Sequence, residues 1–338
     1  EAVAAMAGDW GRDRLHAYGV LAGGELRALG EDANRHPPRL HSHDRFGHRI
    51  DRVEFHPAWH RLMSLAMAHG LHALPWQLPQ AGAHVVRAAL EYLHHQAEAG
   101  SNCPLTMTYA AMPVLRQGGE RLAGWCTALT GSRYDPRDIP IAGKSAITLG
   151  MGMTEKQGGS DVRANSSRAE DQADGSALLT GHKWFLSAPG SDGFLVLAQG
   201  SDGLGCYLMP RLLEDGSRNH LRLQRLKDKL GNLANASSEV EFMHALAWPV
   251  GAPGRGIATI LGMVALTRLD CMVGSAALMR QALVQAVHHC RHRSAFGRLL
   301  AGQPLMANVL ADLALESEAA VWLALRTARA IDAAGGDP

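Results

Sequence analysis

Two short segments carry residue types that could hold a ligand and do chemistry on it. Residues 150–161 read Gly-Met-Gly-Met-Thr-Glu-Lys-Gln-Gly-Gly-Ser-Asp. They follow an apolar run that reads as a strand. Gly158 and Gly159 let the backbone turn tightly and approach a bound group closely. Thr154 and Ser160 offer hydroxyls, and nearby amides can donate to a carbonyl or phosphate oxygen. A solvated surface loop has the same composition. Residues 181–187 read Gly-His-Lys-Trp-Phe-Leu-Ser. Trp184 and Ser187 set a stacking face beside a hydroxyl at a strand end, the pairing that a flat heteroaromatic ligand requires. The alternative is a tryptophan anchored in a β-sandwich core.

Other chemistries fit less well. Gly150 and Gly152 begin a GxG, but Glu155 stands where a third glycine belongs and no βαβ unit surrounds it, which argues against a Rossmann site. There is no GxxxxGK[ST]. The 18 histidines are scattered, without HExxH or His/Cys ligand spacing, so no metal site is expected. With 33 basic and 32 acidic residues, the net charge of +1 predicts no general attraction to nucleic acid or anionic membrane. The five cysteines form no CxxC pair and read as reduced and intracellular. No apolar run approaches the roughly 20 residues of a membrane span. The chain reads as cytoplasmic, with no membrane partner, and starting at Glu1 it reads as trimmed at its beginning.

The elements that must position these segments fall into three textures. The first 55 residues read as loop-rich, broken by Gly23-Gly24 and Pro37-Pro38. Helices are then predicted over 57–69, 82–99, 109–116 and 120–129. From 146 to 250 the pattern turns to short strands, at 146–150, 177–186, 194–199, 205–210, 221–226 and 239–243. Asp174-Gly175 and Asp215-Gly216 mark turns between them. Spacing this close leaves no room for crossover helices, so a largely antiparallel sheet is expected. Helical periodicity resumes over 256–290 and 304–331. The fold class is α+β multidomain: a loop-rich and helical domain over 1–145, a β-domain over 146–250 and the first part of a helical domain over 251–338.

A resemblance joins these observations. Met153-Thr154-Glu155 followed by Gly159-Ser160-Asp161, then residues 181–187, resembles the signature of the acyl-CoA dehydrogenase family. Arg293-Ser-Ala-Phe-Gly297 with Gln303 is similar to its third flavin motif. Residues 151–162, 226–232, 55–60 and 267–270 look like the AidB-like branch, tied to the bacterial adaptive response to DNA alkylation. The resemblance implies an N-terminal helical domain, a central antiparallel β-domain and a C-terminal helical bundle, incomplete in this chain. It implies bound FAD, a homotetramer that shares its FAD sites, and an acyl-CoA or related thioester as substrate.

By carry-over, Met151, Met153, Thr154, Gly159 and Ser160 cradle the flavin and its pyrophosphate. Trp184, Phe185 and Ser187 lie at the ring, and Arg293, Phe296 and Gln303 meet the dinucleotide of a neighbouring subunit. Ser160, Arg268 and Asp270 are expected near substrate. The activity implied is α,β-dehydrogenation with hydride passing to the flavin, and it needs a carboxylate base. One family position for that base is occupied here by Thr267, which cannot serve. The other lies in a Glu-Gly segment expected beyond Pro338, so the chain reads as a piece cut at both ends. An alternative role is DNA-associated protection with weak or no dehydrogenase activity, through a basic C-terminal region that would contact duplex DNA and that this chain lacks. The basic run 288–298 coincides with the flavin motif and reads as facing FAD.

Overall fold

The computed structural model describes residues 1–335. Its first third is helical apart from one hairpin. Helices α1 (Ala2–Ala7), α2 (Arg12–Gly23) and α3 (Glu25–Arg35) precede the antiparallel pair β1 (Arg39–His43) and β2 (Arg49–Glu54). Then come α4 (Pro57–Ala68), α5 (Leu74–Gln77), α6 (Ala83–Ala97), α7 (Asn102–Leu115) and α8 (Ala123–Leu129). The expectation of a loop-rich start is therefore corrected. Gly24 is only the joint between α2 and α3, and Pro37-Pro38 ends α3 where the hairpin begins. α4 starts where Pro57 fits the first turn, and His56 Nδ1 accepts the Ala58 amide at 3.3 Å. α7 begins seven residues earlier than its apolar spacing suggests.

The middle third is a sheet of β3 (Leu149–Gly152), β4 (Arg168–Asp171), β5 (Ala177–Ser187), β6 (Gly193–Gly200), β7 (Gly203–Pro210), β8 (Leu221–Leu226) and β9 (Ser237–Val250). The pairings close into a ring: β5 joins β9, β9 joins β7, β7 joins β6, and β3 and β4 each bridge β6 back to β5. Most pairs are antiparallel as expected, but β3 runs parallel to β6 from Leu149↔Gly193 to Gly152↔Val196. β4 escaped the sequence reading because only Ala169 of its four residues is buried. The first strand also sits later than 146–150, which puts Met151 and Gly152 inside it.

β6 is apolar on both faces because both are covered. Phe194, Val196 and Ala198 point into the ring, while Leu195 and Leu197 join a core shared with α6, α7 and the helices that follow. Those helices are α9 (Gly256–His292) and α10 (Pro304–Ala333), separated by the two-residue strands β10 (Ser294–Ala295) and β11 (Arg298–Leu299). One point of the sequence reading needs correction here. α9 contains an 18-residue window of mean hydropathy 1.6, enough by length and composition for a membrane span. Its apolar face instead packs on α6, α7 and α10, and it carries Asp270 buried against Arg87 of α6. Of the helical domain expected over 251–338, residues 336–338 lie outside the described residues.

Candidate functional site

The two motif segments meet at one end of the ring. Gly152 pairs with Leu186, and the Trp184 amide donates to the Thr154 carbonyl at 2.9 Å. Met151 and Met153 rest their half-buried side chains on the helical core. The loop after Thr154 then swings outward, exposing residues 156–161. Among the described residues, the Gly159 and Ser160 amides donate to no other group of the chain. They are unspent donors next to an exposed hydroxyl.

A pair of β-bulges shapes the aromatic part. Opposite Glu239 of β9, the register of β5 slips between Lys183 and Leu186, and that of β8 slips between Leu223 and Arg225. A bulge breaks strict alternation and re-aims side chains. Here Trp184 and Phe185, neighbours in sequence, both reach Lys227, whose Nζ lies 3.7 Å and 4.4 Å from their ring centres. Arg225 and Lys156 approach Trp184 more distantly, at 5.9 Å and 5.7 Å. Burial would raise the Glu239 carboxyl, but bonds from Lys227 at 2.8 Å and Arg225 at 2.6 Å outweigh it and hold the group below its ordinary value. Phe185 is 49% exposed, and Trp184, His182 and Lys156 open on a groove of about 630 Å³. Ser187 pairs with Ser237 at the strand end.

Beneath this surface lies an ion pair that sequence reasoning quoted without assigning a role. Glu155 and Lys183 are both fully buried and bonded at 2.8 Å. Glu155 also accepts from Gln157 Nε2, from the amide and hydroxyl of Ser166, and from the Ser167 amide. Burial pushes its carboxyl up, but the Lys183 and Ser166 bonds win and hold it well below the usual carboxylate range. A signal was present. Lys183 is in phase with the buried Leu179, which points it inward, and Glu155 supplies the opposite charge in the neighbouring motif.

The third motif lies elsewhere. Phe296 and Gly297 both have positive φ, 52° and 75°, the pattern of a tight hairpin turn between β10 and β11. Phe296 is 99% exposed, Arg293 is exposed, and Gln303 holds the hairpin through the Ala295 carbonyl at 3.1 Å. The hairpin packs on the end of α9. Of the residues expected near substrate, Ser160 and Arg268 are exposed, but Asp270 is not. Its carboxylate accepts from the two terminal guanidinium nitrogens of Arg87 and from the Thr106 hydroxyl inside the helical core, where Glu91 also accepts from Arg87 at 2.7 Å. Asp270 is a core residue whose acceptor capacity is already used.

The residues on the sheet fit a flavin nucleotide: exposed aromatic faces, a half-exposed hydroxyl at Ser187, unspent loop amides, and cations around Trp184 for an anionic group. Sequence families agree with this geometry. The AidB adaptive response protein N-terminal domain matches residues 1–136, the acyl-CoA dehydrogenase middle domain residues 150–245, and the acyl-CoA dehydrogenase C-terminal domain residues 254–338. The chain belongs to the acyl-CoA dehydrogenase family, whose members are FAD flavoproteins. Within it the branch is AidB-like. The chain is 49% identical to AidB of Escherichia coli (strain K12), classed by name as an acyl-CoA dehydrogenase without the activity being asserted, over 98% of this chain and 62% of that protein. It is 30% identical to acyl-CoA dehydrogenase family member 11 of Caenorhabditis elegans, over 93% of this chain and 52% of the relative.

Among solved structures, Caenorhabditis elegans ACDH-11 in complex with C11-CoA superposes with a TM-score of 0.90 at 26% identity, over 99% of this chain and 59% of that one. Butyryl-CoA dehydrogenase of Megasphaera elsdenii shares the fold, with a TM-score of 0.75 at 18% identity over 97% and 80% of the two chains. The fold is thus that of the acyl-CoA dehydrogenases: helical parts before and after a central β-domain. The chain spans somewhat over half the length of the curated relatives it matches.

Proposed function

We propose that the protein is an FAD-dependent dehydrogenase that removes the α and β hydrogens of an acyl-CoA or related thioester, in the branch that serves the response to DNA alkylation. The observation that carries this is the registration of residues 151–160 with 184–187, fixed by the Gly152–Leu186 pair and the Trp184-to-Thr154 bond. It gathers ring-facing, hydroxyl and anion-binding groups at one exposed edge. The relative solved with C11-CoA supports a CoA thioester as substrate.

In this reading Met151 and Met153 form the floor, and the Thr154 and Ser187 hydroxyls bond the ring edge. Trp184 and Phe185 flank the ring. Ser160, with the free amides of Gly159 and Ser160, holds the pyrophosphate. Arg293, Phe296 and Gln303 receive the adenine dinucleotide of another copy in a homotetramer, since the hairpin lies away from the sheet segments of its own chain. A guanidinium suits that role because its fork matches phosphate oxygens. FAD supplies a hydride acceptor when bound. Ser160 and Arg268 are the residues offered to substrate. Thr267 is buried and spends its hydroxyl on the Val264 carbonyl at 2.9 Å, so it is not the base that takes the α-proton. The protein acts in the cytoplasm.

The test uses the intact natural protein. Purified protein is expected to be yellow, with close to one FAD per subunit, and one member of an acyl-CoA panel should bleach it rapidly under anaerobic conditions. A colourless protein that FAD cannot reconstitute sinks the proposal. A yellow protein that no thioester bleaches, but that binds duplex DNA with steep salt dependence, favours the protective DNA-associated role. Arg293→Ala should lower FAD content and loosen the oligomer together, and unchanged FAD content removes Arg293 from the site.

A further inference from the structure

The loop that presents Thr154, Gly159 and Ser160 is tied at its base by one carboxylate. Glu155 sits at the loop's start. Its two oxygens take the amide and hydroxyl of Ser166 and the amide of Ser167 at the loop's end, at 2.6, 2.8 and 3.0 Å. Gln157 Nε2 reaches back to it at 3.0 Å from within the loop, and Lys183 Nζ reaches across at 2.8 Å from β5. Weaker ties run alongside: Asn165 to the Met153 carbonyl, the Lys156 amide to His182, and Ser167 to the His182 carbonyl. The Glu155–Lys183 bond alone joins the loop's base to the strand that bears Trp184, Phe185 and Ser187 through fully buried charges.

We infer that Glu155 and Lys183 are positioning residues for the flavin site, a buried buckle that holds the 154–160 loop at a fixed distance from the 184–187 strand end. The inference rests on the FAD reading above. Both side chains are fully buried, so they act on the site through the segments they hold. A carboxylate that gathers five donors fixes the loop's base in one arrangement, and the ionised Lys183 keeps the carboxylate charged. Without the buckle the Gly152–Leu186 pair and the Trp184-to-Thr154 bond still hold the loop's start, but its 156–167 part loses its buried anchor to β5. The cost therefore falls on a property that needs both segments at once.

The experiment compares wild type, Glu155→Gln and the double variant Glu155→Met/Lys183→Met in the intact protein. It measures FAD affinity, the position of the bound-flavin absorption bands, thermal midpoint and amide hydrogen exchange. Glu155→Gln strands the Lys183 charge, so its midpoint should drop and its FAD affinity should fall. Loss of one charge-assisted bond corresponds to roughly tenfold in an equilibrium. The double variant removes both charges and so strands neither in the interior, although the Ser166 and Ser167 donors lose their acceptor and keep the recovery partial. Its midpoint should return towards wild type while FAD stays weakly held, with shifted bands and faster exchange over 156–167. If the double variant recovers affinity and bands along with its midpoint, the pair serves stability alone and the inference fails. It fails equally if exchange over 156–167 is unchanged in Glu155→Gln. A wild type that binds no FAD would defeat the functional reading instead, while the exchange comparison still decides whether the buckle orders the loop.

Discussion

Single residues show how finely the site is set. A Cβ on Gly159 would stand 2.4 Å from Thr154 Oγ1, so this glycine lets the loop fold back over the threonine that is to bond the flavin. Gly159→Ala should push Thr154 aside. The loop is exposed, so the thermal midpoint should hardly move, within about 0.5 kcal/mol of stability, while FAD per subunit falls. An alanine variant with normal FAD content would detach Thr154 from the cofactor. Gly181 is the contrasting case. Its φ is 144°, and a Cβ would meet the Ser167 hydroxyl at 2.5 Å and the Ser167 Cα at 2.6 Å, so Gly181→Ala should cost folding stability. Both glycines were visible in the sequence, but only contact geometry separates their roles. Asp270 was misread for a related reason. Thr267-Arg268-Leu-Asp270 spans one turn of α9, and which of its residues faces solvent depends on where α6 and α7 lie.

At the scale of elements, sequence pattern located the strands that alternate and the helices with a single apolar stripe. β8 was found with its observed limits, and α4, α6, α9 and α10 within a few residues. It failed where position is set by partners remote in sequence. β4 is polar and belongs to the sheet only because β5 binds it. β3 shifted because its register follows β6. α2 and α3 were hidden by the glycine joint between them. The clearest case of remote control is the start of α6. Its N-cap is Gly82, which offers no side chain, and the capping carboxylate comes from the far end of the described chain. Asp332 of α10 accepts the His84 and Val85 amides at 3.0 and 3.2 Å. Asp332→Ala leaves those donors unpaired in a half-buried place. It should lower unfolding stability by about 0.5–2 kcal/mol, the range for lost N-caps, measured by urea denaturation. No change would show that water replaces the carboxylate at no cost.

At the scale of the whole molecule, α6 is the hub. It packs on α2, α9 and α10, and nine consecutive residues from its start, 83–91, are buried. The titratable groups buried on it and beside it are tuned accordingly. Burial holds His72, His84 and His94 down at about 4, against an ordinary histidine value of 6.5. The bonds around His94 fit the neutral form that burial favours. Ser101 Oγ donates to Glu98, so it must accept from His94 Nε2–H, and Tyr18 then donates to Nδ1. Burial lowers His60, His69 and His95 as well. Each of these imidazoles takes up a proton more readily when the chain is unfolded. Stability is therefore complete above pH 6.5 and is lost as pH falls towards 4, each strongly shifted histidine contributing up to about 1.4 kcal/mol per pH unit. Glu91 works against this. Burial, together with the charge of Asp270, pushes it well above its ordinary 4.5, so it binds a proton in the folded state and weakens folding as pH rises. Asp192 and Asp332, also raised by burial, act in the same sense as Glu91, but the three strongly shifted histidines, with His60, His69 and His95 lowered beside them, leave a net uptake on unfolding. The urea midpoint should thus fall steadily from pH 7 to pH 5, and His94→Gln should make that fall shallower. A midpoint flat across those two pH units would mean that the buried imidazoles are protonated in the folded protein, and the donor–acceptor order drawn from Tyr18 through His94 to Glu98 would be wrong.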